Sequence, residues 1–222
     1  MKNIPRIFVG DTLYAGIAIP VGREVSHYLQ RVMRRNDCLA FGGGVEYRAE
    51  LSPDGKLLLI GDKTDHLDPS NNVTLMFSPI KRMDDMLNMA TQMGVSAFQP
   101  VIMDRTVAHH INWQRMEKII TEASEQSNRN SVPKILPPIK FSDLDLSHIV
   151  FADERVAYGK ATTKIPSDTT SVLIGPEGGF SDAELSALDG AGAIGIGLGK
   201  TILRAEVASI VALARIINNM GD

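Results

Sequence analysis

Between residues 171 and 208 the chain makes two glycine-rich turns, each joining a short apolar run to a stretch with helical periodicity. The first is Ser171-Val-Leu-Ile-Gly-Pro-Glu-Gly-Gly-Phe-Ser-Asp-Ala-Glu-Leu185, and the second is Ile194-Gly-Ile-Gly-Leu-Gly-Lys-Thr-Ile-Leu-Arg-Ala-Glu-Val-Ala208. Strand, bare backbone, helix is the order in which open α/β sheets build ligand crevices at the carboxyl ends of their strands. Two such turns so close together predict one pocket lined by both.

Glycine spacing excludes the common phosphate cradles. A P-loop would need glycine where the chain has Ile194, and a dinucleotide fingerprint begun at Gly195 would need glycine at Lys200. A Gly-x-Ser-x-Gly nucleophile elbow is absent from the sequence. What remains is recognition by main-chain groups, which approach a ligand closely where no Cβ intrudes. Heterocycle edges such as adenine suit such a site. Alternatively the glycines serve only tight strand–helix turns. Two adjacent turns that also carry Glu177, Arg204 and Glu206 favour a ligand.

A chain of 222 residues, 44% hydrophobic, suits one large domain or two unequal ones. No segment approaches the ~18 uncharged apolar residues of a membrane span. The start, Met1-Lys-Asn-Ile-Pro-Arg6, lacks the apolar core of a secretory signal. Cys38 is the only cysteine, which rules out an internal disulfide and a cysteine-based zinc site. The five histidines show no ligand spacing, and His109-His110 reads as a solvated loop pair. A cytoplasmic protein without a metal is expected.

Net charge is −3, unevenly spread. Basic residues outnumber acidic ones seven to five over 1–50 and eight to six over 76–140, whereas 141–222 carries six against eleven. The basic bias outside the last third suits a surface that tracks phosphates, or simply mixed solvated faces.

Residues 1–70 read as short strands: Arg6–Val9, Gly16–Ile19, Cys38–Phe41, Val45–Leu51 and Lys56–Ile60, with turn chemistry at Gly42-Gly-Gly44 and Pro53-Asp-Gly55. One helix, Glu24–Arg35, is expected to turn Val25, Tyr28, Leu29, Val32 and Met33 to one face. The set suggests a small β-barrel, followed by a polar linker over Asp62–Asn72. Residues 71–222 then alternate strand and helix. Strands are expected at Val73–Phe77, Ser96–Ile102, His148–Ala152, Ser171–Ile174 and Ala193–Leu198. Helices are expected at Arg82–Met93 and from Asn112 to Ser127, the second with Trp113, Met116, Ile119, Ile120 and Ala123 inward. Ser181 and Glu184 form a capping box, and a final helix carries Val207, Ile210, Val211, Ala214 and Ile217 as its apolar stripe.

Three segments resemble a known family. Leu173-Ile-Gly-Pro-Glu-Gly-Gly-Phe-Ser-Asp-Ala-Glu-Leu185, Leu198-Gly-Lys-Thr-Ile-Leu-Arg-Ala-Glu-Val-Ala208 and Glu122-Ala-Ser-Glu-Gln-Ser-Asn-Arg-Asn-Ser-Val-Pro133 are similar to signatures of the ribosomal RNA small subunit methyltransferase E family, in the SPOUT superfamily. Arg6-Ile-Phe-Val9 and His27-Tyr-Leu-Gln-Arg-Val-Met-Arg34 fit its small first domain, so the likeness runs nearly end to end. The sequence departs from the family pattern at Val207, where threonine is usual, and at Met89 and Gln92, where lysine and glutamate are common.

The resemblance implies a PUA-like β-barrel over 1–70 that binds RNA, then an α/β SPOUT domain over 71–222 with a C-terminal trefoil knot. It implies S-adenosylmethionine as methyl donor, a uridine N3 of 16S ribosomal RNA in the small subunit as acceptor, and a homodimer. Donor-binding residues would be Pro79, Leu173, Ile174, Gly175, Pro176, Glu177, Gly178, Gly179, Leu198, Gly199, Lys200, Thr201, Ile202, Leu203 and Arg204. A proton must leave N3 before it can attack, so the site wants a base and a partner for negative charge on the flanking oxygens. Glu206 and Arg204 are the candidates. Arg6, Arg31, Arg34, Lys81, Arg82, Arg105 and Arg129 are the candidate RNA contacts. With only 5% aromatic residues, recognition is expected to rest on backbone, shape and a splayed-out base. Two other readings stand beside this one: a non-catalytic RNA-binding assembly factor, motivated by Val207, Met89 and Gln92, and a nucleotide-binding enzyme using Gly199-Lys-Thr201, disfavoured by the spacing.

Overall fold

The computed structural model describes residues 4–68, 72–107, 111–158 and 164–219. The histidine pair at 109 and 110 lies outside them. Contacts divide the chain into a unit of residues 1–70 with 121–132 and a unit of 71–120 with 133–222.

The first unit is a five-stranded sheet in the order β1-β3-β4-β5-β2. Its strands are β1 (Arg6–Phe8), β2 (Ala18–Pro20), β3 (Asp37–Gly42), β4 (Val45–Leu51) and β5 (Leu57–Lys63). β1 runs parallel to β3, and the other pairings are antiparallel. Alternation along β4 sends Tyr47, Ala49 and Leu51 inward, where they meet Ile7, Leu29, Ala40, Leu58 and Ile60.

Three expectations need correction here. The helix after β2 is α-helical only over α1 (Arg23–His27) and continues as a π-helical turn over Tyr28–Met33. The wider turn breaks the α-helical register, so Leu29 is buried while Tyr28 and Val32 are exposed. The polar segment after β5 is no free linker. Thr64 Oγ1 donates to Glu46, Asn130 Nδ2 donates to the His66 carbonyl, and Asp68 accepts from the Asn130 backbone and the Ser131 hydroxyl.

Arg6, expected at an RNA surface, points inward. It is 8% exposed, Nε donates to Glu46 at 2.9 Å, Nη2 donates to Asn130 at 2.6 Å, and its guanidinium lies 4.5 Å from the Phe41 ring centre. A buried arginine needs this partnering, and the partners leave little of it for a phosphate. Arg129 is also half-buried, and desolvation lowers its pKa against the pull of Asp68. Arg31 and Arg34 are exposed.

The second unit is built on a parallel sheet in the order β12-β10-β11-β6-β7-β8, with β9 also pairing to β7. The strands are β6 (Thr74–Phe77), β7 (Ala97–Ile102), β8 (Lys134–Ile135), β9 (Ile139–Lys140), β10 (Val150–Ala152), β11 (Ser171–Ile174) and β12 (Ile194–Ile196). The central strands β6 and β11 are Val/Leu/Phe-rich, as parallel strands covered on both faces must be. Helices α2 (Met83–Gln92), α4 (Asp182–Gly190) and α5 (Ala205–Asn219) belong to this unit, as does α3 (Trp113–Gln126) up to residue 120, its remainder belonging to the first. Asn112 Oδ1 accepts from Arg115 N at the start of α3, and the Ser181/Glu184 capping box opens α4.

Two helix faces differ from expectation. Trp113, at the first turn of α3, is 38% exposed although Met116, Ile120 and Ala123 are buried. On α5 the buried face is Ala205, Ala208, Ser209, Ala212, Leu213 and Ile216, rotated from the expected Val207, Ile210, Val211, Ala214 and Ile217. α5 packs against α2 and β11, where alanine and serine permit close approach. Val207 is left exposed, and Ile210, Val211 and Ile217 are half-buried at the flanks.

Candidate active site

Strand order places β11 at the middle of the second sheet, next to β6, and β12 at its edge, next to β10. The chain therefore leaves β12 at the edge and returns as α5 over β11 and α2. This return brings the two glycine turns together. They line one cavity of about 420 Å³ at the carboxyl ends of the strands, a size suited to a small-molecule ligand.

From the first turn come Ile174, Gly175, Pro176, Glu177, Gly179 and Phe180; from the second come Leu198, Gly199, Thr201, Ile202, Leu203 and Arg204, continuing to Glu206 and Ala208 of α5. Phe180 sits edge-on to Phe151 at 5.7 Å and anchors the base of the first turn in the core. Gly179 takes a φ of +70°, and a Cβ there would come within 2.8 Å of Glu154 Oε1. Arg105 Nη1 donates to the carbonyls of Gly178 and Phe180 at 2.9 and 3.1 Å, clamping the turn from the loop after β7. Asp104 joins this clamp, donating from its backbone to Glu184 and accepting from the Ser181 hydroxyl.

Four residues expected at the ligand lie off the cavity. Leu173 alternates into the core of the sheet, Pro79 is buried elsewhere, Gly178 faces Arg105, and Lys200 is exposed. Residues that sequence reasoning missed also lie on it: Ala152, Asp153 and Glu154 at the end of β10, with Phe180, Ala205 and Ala208. The signal was available, because the strand ending at Ala152 was legible and the crevice rule applies equally to the residues that follow it. Arg82, read only as an RNA contact, also lines the cavity.

The charged groups are distinct in environment. Glu206 is 7% exposed, in the first turn of α5 where the helix dipole favours a carboxylate. Arg82 Nη1 stands 3.8 Å from Glu206 Oε1, with the arginine side chain 59% exposed. Arg204, Glu154 and Glu177 are exposed at the rim. Asp153 is sealed below, accepting from Arg155 Nε and Nη2 at 2.9 Å, while Arg155 also binds Asp189 at 2.7 and 2.9 Å. These two carboxylates raise the Arg155 pKa further above its already high value. Among the described residues no cluster of His, Cys, Asp and Glu is arranged to hold a metal, and no helix is long and apolar enough to cross a membrane.

A family model described as an RNA methyltransferase domain matches residues 68–217. A relative from Rickettsia conorii, named ribosomal RNA small subunit methyltransferase E, is 31% identical over 95% of this chain and 94% of its own length. The chain belongs to the ribosomal RNA small subunit methyltransferase E family. A second member, from Synechocystis sp., is 32% identical over 86% of this chain and 69% of its own length. A solved structure of a methyltransferase E from Neisseria gonorrhoeae bound to S-adenosyl methionine has a TM-score of 0.83 at 28% identity, covering 97% of this chain and 98% of that one. Membership accounts for both glycine turns at once, because they belong to one ligand crevice.

Proposed function

We propose that this member of the methyltransferase E family transfers a methyl group from S-adenosylmethionine to N3 of a uridine in 16S ribosomal RNA of the small subunit. The observation that carries the reading is the convergence of both glycine turns on one cavity that also holds Glu206 and Arg204. The cavity fits the donor in size and chemistry. Bare backbone and the apolar side chains of Ile202 and Leu203 suit adenine, and carboxylates at Glu154 and Glu177 suit the hydroxyl and cationic groups of the remainder.

When bound, the donor supplies a methyl carbon on a cationic sulfur. Glu206 takes the proton from N3, and Arg204 stabilises the negative charge that spreads onto the flanking oxygens. The N3 electron pair forms the new N–C bond as the C–S bond breaks. Its electrons stay on sulfur, which becomes neutral, and Glu206 later returns the proton to water. A cavity that holds both reactants in line supplies a large share of the rate.

The three departures from the family pattern bear on the assembly-factor alternative and weaken it. Val207, Met89 and Gln92 do not line the cavity; Val207 is 42% exposed, Met89 is 36% exposed, and Gln92 donates to Asn88 on the outer face of α2.

The first unit is the PUA-like RNA-binding part of this reading, with Arg31 and Arg34 exposed, and Lys81 is exposed on the second unit. The return of the chain from β12 to α5 is the segment that forms the trefoil knot. The homodimer is supported by exposed apolar side chains at the start of α5 and just before it: Val207 is 42% exposed and Ile202 is 60% exposed. A ribosomal RNA substrate makes the cytoplasm the working compartment.

Titration calorimetry tests the donor directly. S-adenosylmethionine is expected to bind in the micromolar range and ATP not to bind, whereas tight ATP binding with none for the methyl donor defeats the reading.

A further inference from the structure

Arg82 and Glu206 come from different parts of the second unit yet meet side by side at the cavity. Arg82 precedes α2 with an irregular backbone (φ −96°, ψ 36°), and Glu206 lies in the first turn of α5. Their 3.8 Å separation exceeds a closed hydrogen bond. Glu206 is buried, so its carboxylate needs a partner, but Arg82 is 59% exposed and reaches it loosely from the solvent side. A guanidinium carries five N–H donors, so most of those on Arg82 remain available for a second acceptor.

The pair therefore presents an acceptor beside a donor on one wall of the cavity. We propose that this pair reads the base: Glu206 accepts N3–H while Arg82 donates to the exocyclic oxygen at C4. Uracil offers a donor at N3 beside an acceptor at C4. Cytosine offers the reverse, an acceptor at N3 beside an amino donor at C4. Cytosine would set its bare N3 against the Glu206 carboxylate and its amino group against the Arg82 cation. Each mismatch leaves a group unpaired in a partly dry site, which is where hydrogen-bonding sites discriminate most sharply. Before RNA arrives, Arg82 keeps the buried carboxylate company; when the base enters, both turn to its edge. Arg82 is thus a specificity residue for the acceptor, and this rests on the methyl-transfer reading above.

The test uses the full-length protein with S-adenosylhomocysteine present, so that binding is measured without transfer. Short small-subunit RNA fragments carrying uridine or cytidine at the target position are titrated by fluorescence anisotropy. Wild type is expected to prefer uridine by roughly tenfold or more. Arg82→Ala should lose most of that preference, and Arg82→Lys should keep part of it, because lysine donates without the planar fork. Affinity for S-adenosylhomocysteine should stay within about threefold of wild type in both variants, which also reports that they fold, since Arg82 is largely solvated. Retention of the full uridine preference by Arg82→Ala overturns the inference, and so does a parallel loss of S-adenosylhomocysteine binding. Wild type that transfers no methyl group to small-subunit RNA in a companion assay overturns the parent reading instead.

Discussion

Gly195 and Asp153 occupy one space: a Cβ on residue 195 would lie 2.6 Å from Asp153 Oδ2 and 3.0 Å from Asp153 Cβ. The two residues sit on neighbouring strands, with Gly195 in β12 opposite Phe151 in β10. Asp153 has no freedom to yield, because both of its oxygens accept from Arg155 and its backbone N–H donates to the Ile196 carbonyl at 2.9 Å. The floor of the cavity is therefore set by a missing side chain on one strand and a pinned carboxylate on the next.

Gly195→Ala is expected to push Asp153 off Arg155 and tilt the turn that begins at Leu198. Overpacking of this kind costs about 1–3 kcal/mol. Thermal unfolding should show a lower Tm, and calorimetry should show weaker S-adenosylmethionine binding. An unchanged Tm would mean that the strand ends separate easily.

Arg204 lies at the rim and makes no structural ion pair among those in the described residues. If it stabilises charge developing on the base, Arg204→Ala should lower turnover by ~10²–10³-fold with donor affinity little changed. Equal losses in both would make it a donor-binding residue.

Arg105 ties two carbonyls of the first glycine turn. Hydrogen bonds to a charged group contribute about 1.5–3 kcal/mol where shielded and less in solvent, so Arg105→Ala should weaken donor binding by roughly tenfold. Calorimetry measures this with no RNA present. An effect confined to RNA affinity would restore Arg105 to a purely phosphate-binding role.

Burial raises the pKa of Glu125, with Glu122 adding to the shift and the N–H of Phe8 and Arg6 opposing it. A carboxyl whose native pKa is raised binds its proton more tightly when folded. Stability is therefore greatest below the ordinary glutamate value and falls as pH rises from there to the native value. Glu125→Gln keeps an oxygen for Phe8 N–H, so it should be more stable than wild type at neutral pH, with the two converging in acid. Urea unfolding across that pH range provides the check.

Much of the fold was legible because local chemistry and global structure agree. Val45–Leu51 alternates and forms β4, Gly94 stops α2, and Ser181 with Glu184 caps α4. The misreadings have physical causes. Periodicity locates an amphipathic helix but not its rotation when small residues form the packed face, as on α5, where Ala208, Ala212 and Leu213 are buried and Val207 is not. A π-helical turn such as Tyr28–Met33 has no signature at α-helical spacing. Arg6 could be read as a surface cation because its partners Glu46 and Asn130 lie 40 and 124 residues away. At the site, the glycine turns announced the crevice, yet Asp153 and Glu154 came from a third strand whose loop carries no glycine motif.

The central claim is best tested by incubating the protein with S-adenosylmethionine labelled in its methyl group and small ribosomal subunits from a strain lacking the enzyme. The 16S RNA is then digested and its nucleosides separated by mass spectrometry. The account predicts label in N3-methyluridine alone. Label on a ribose oxygen, on a different base, or on no nucleoside would contradict it.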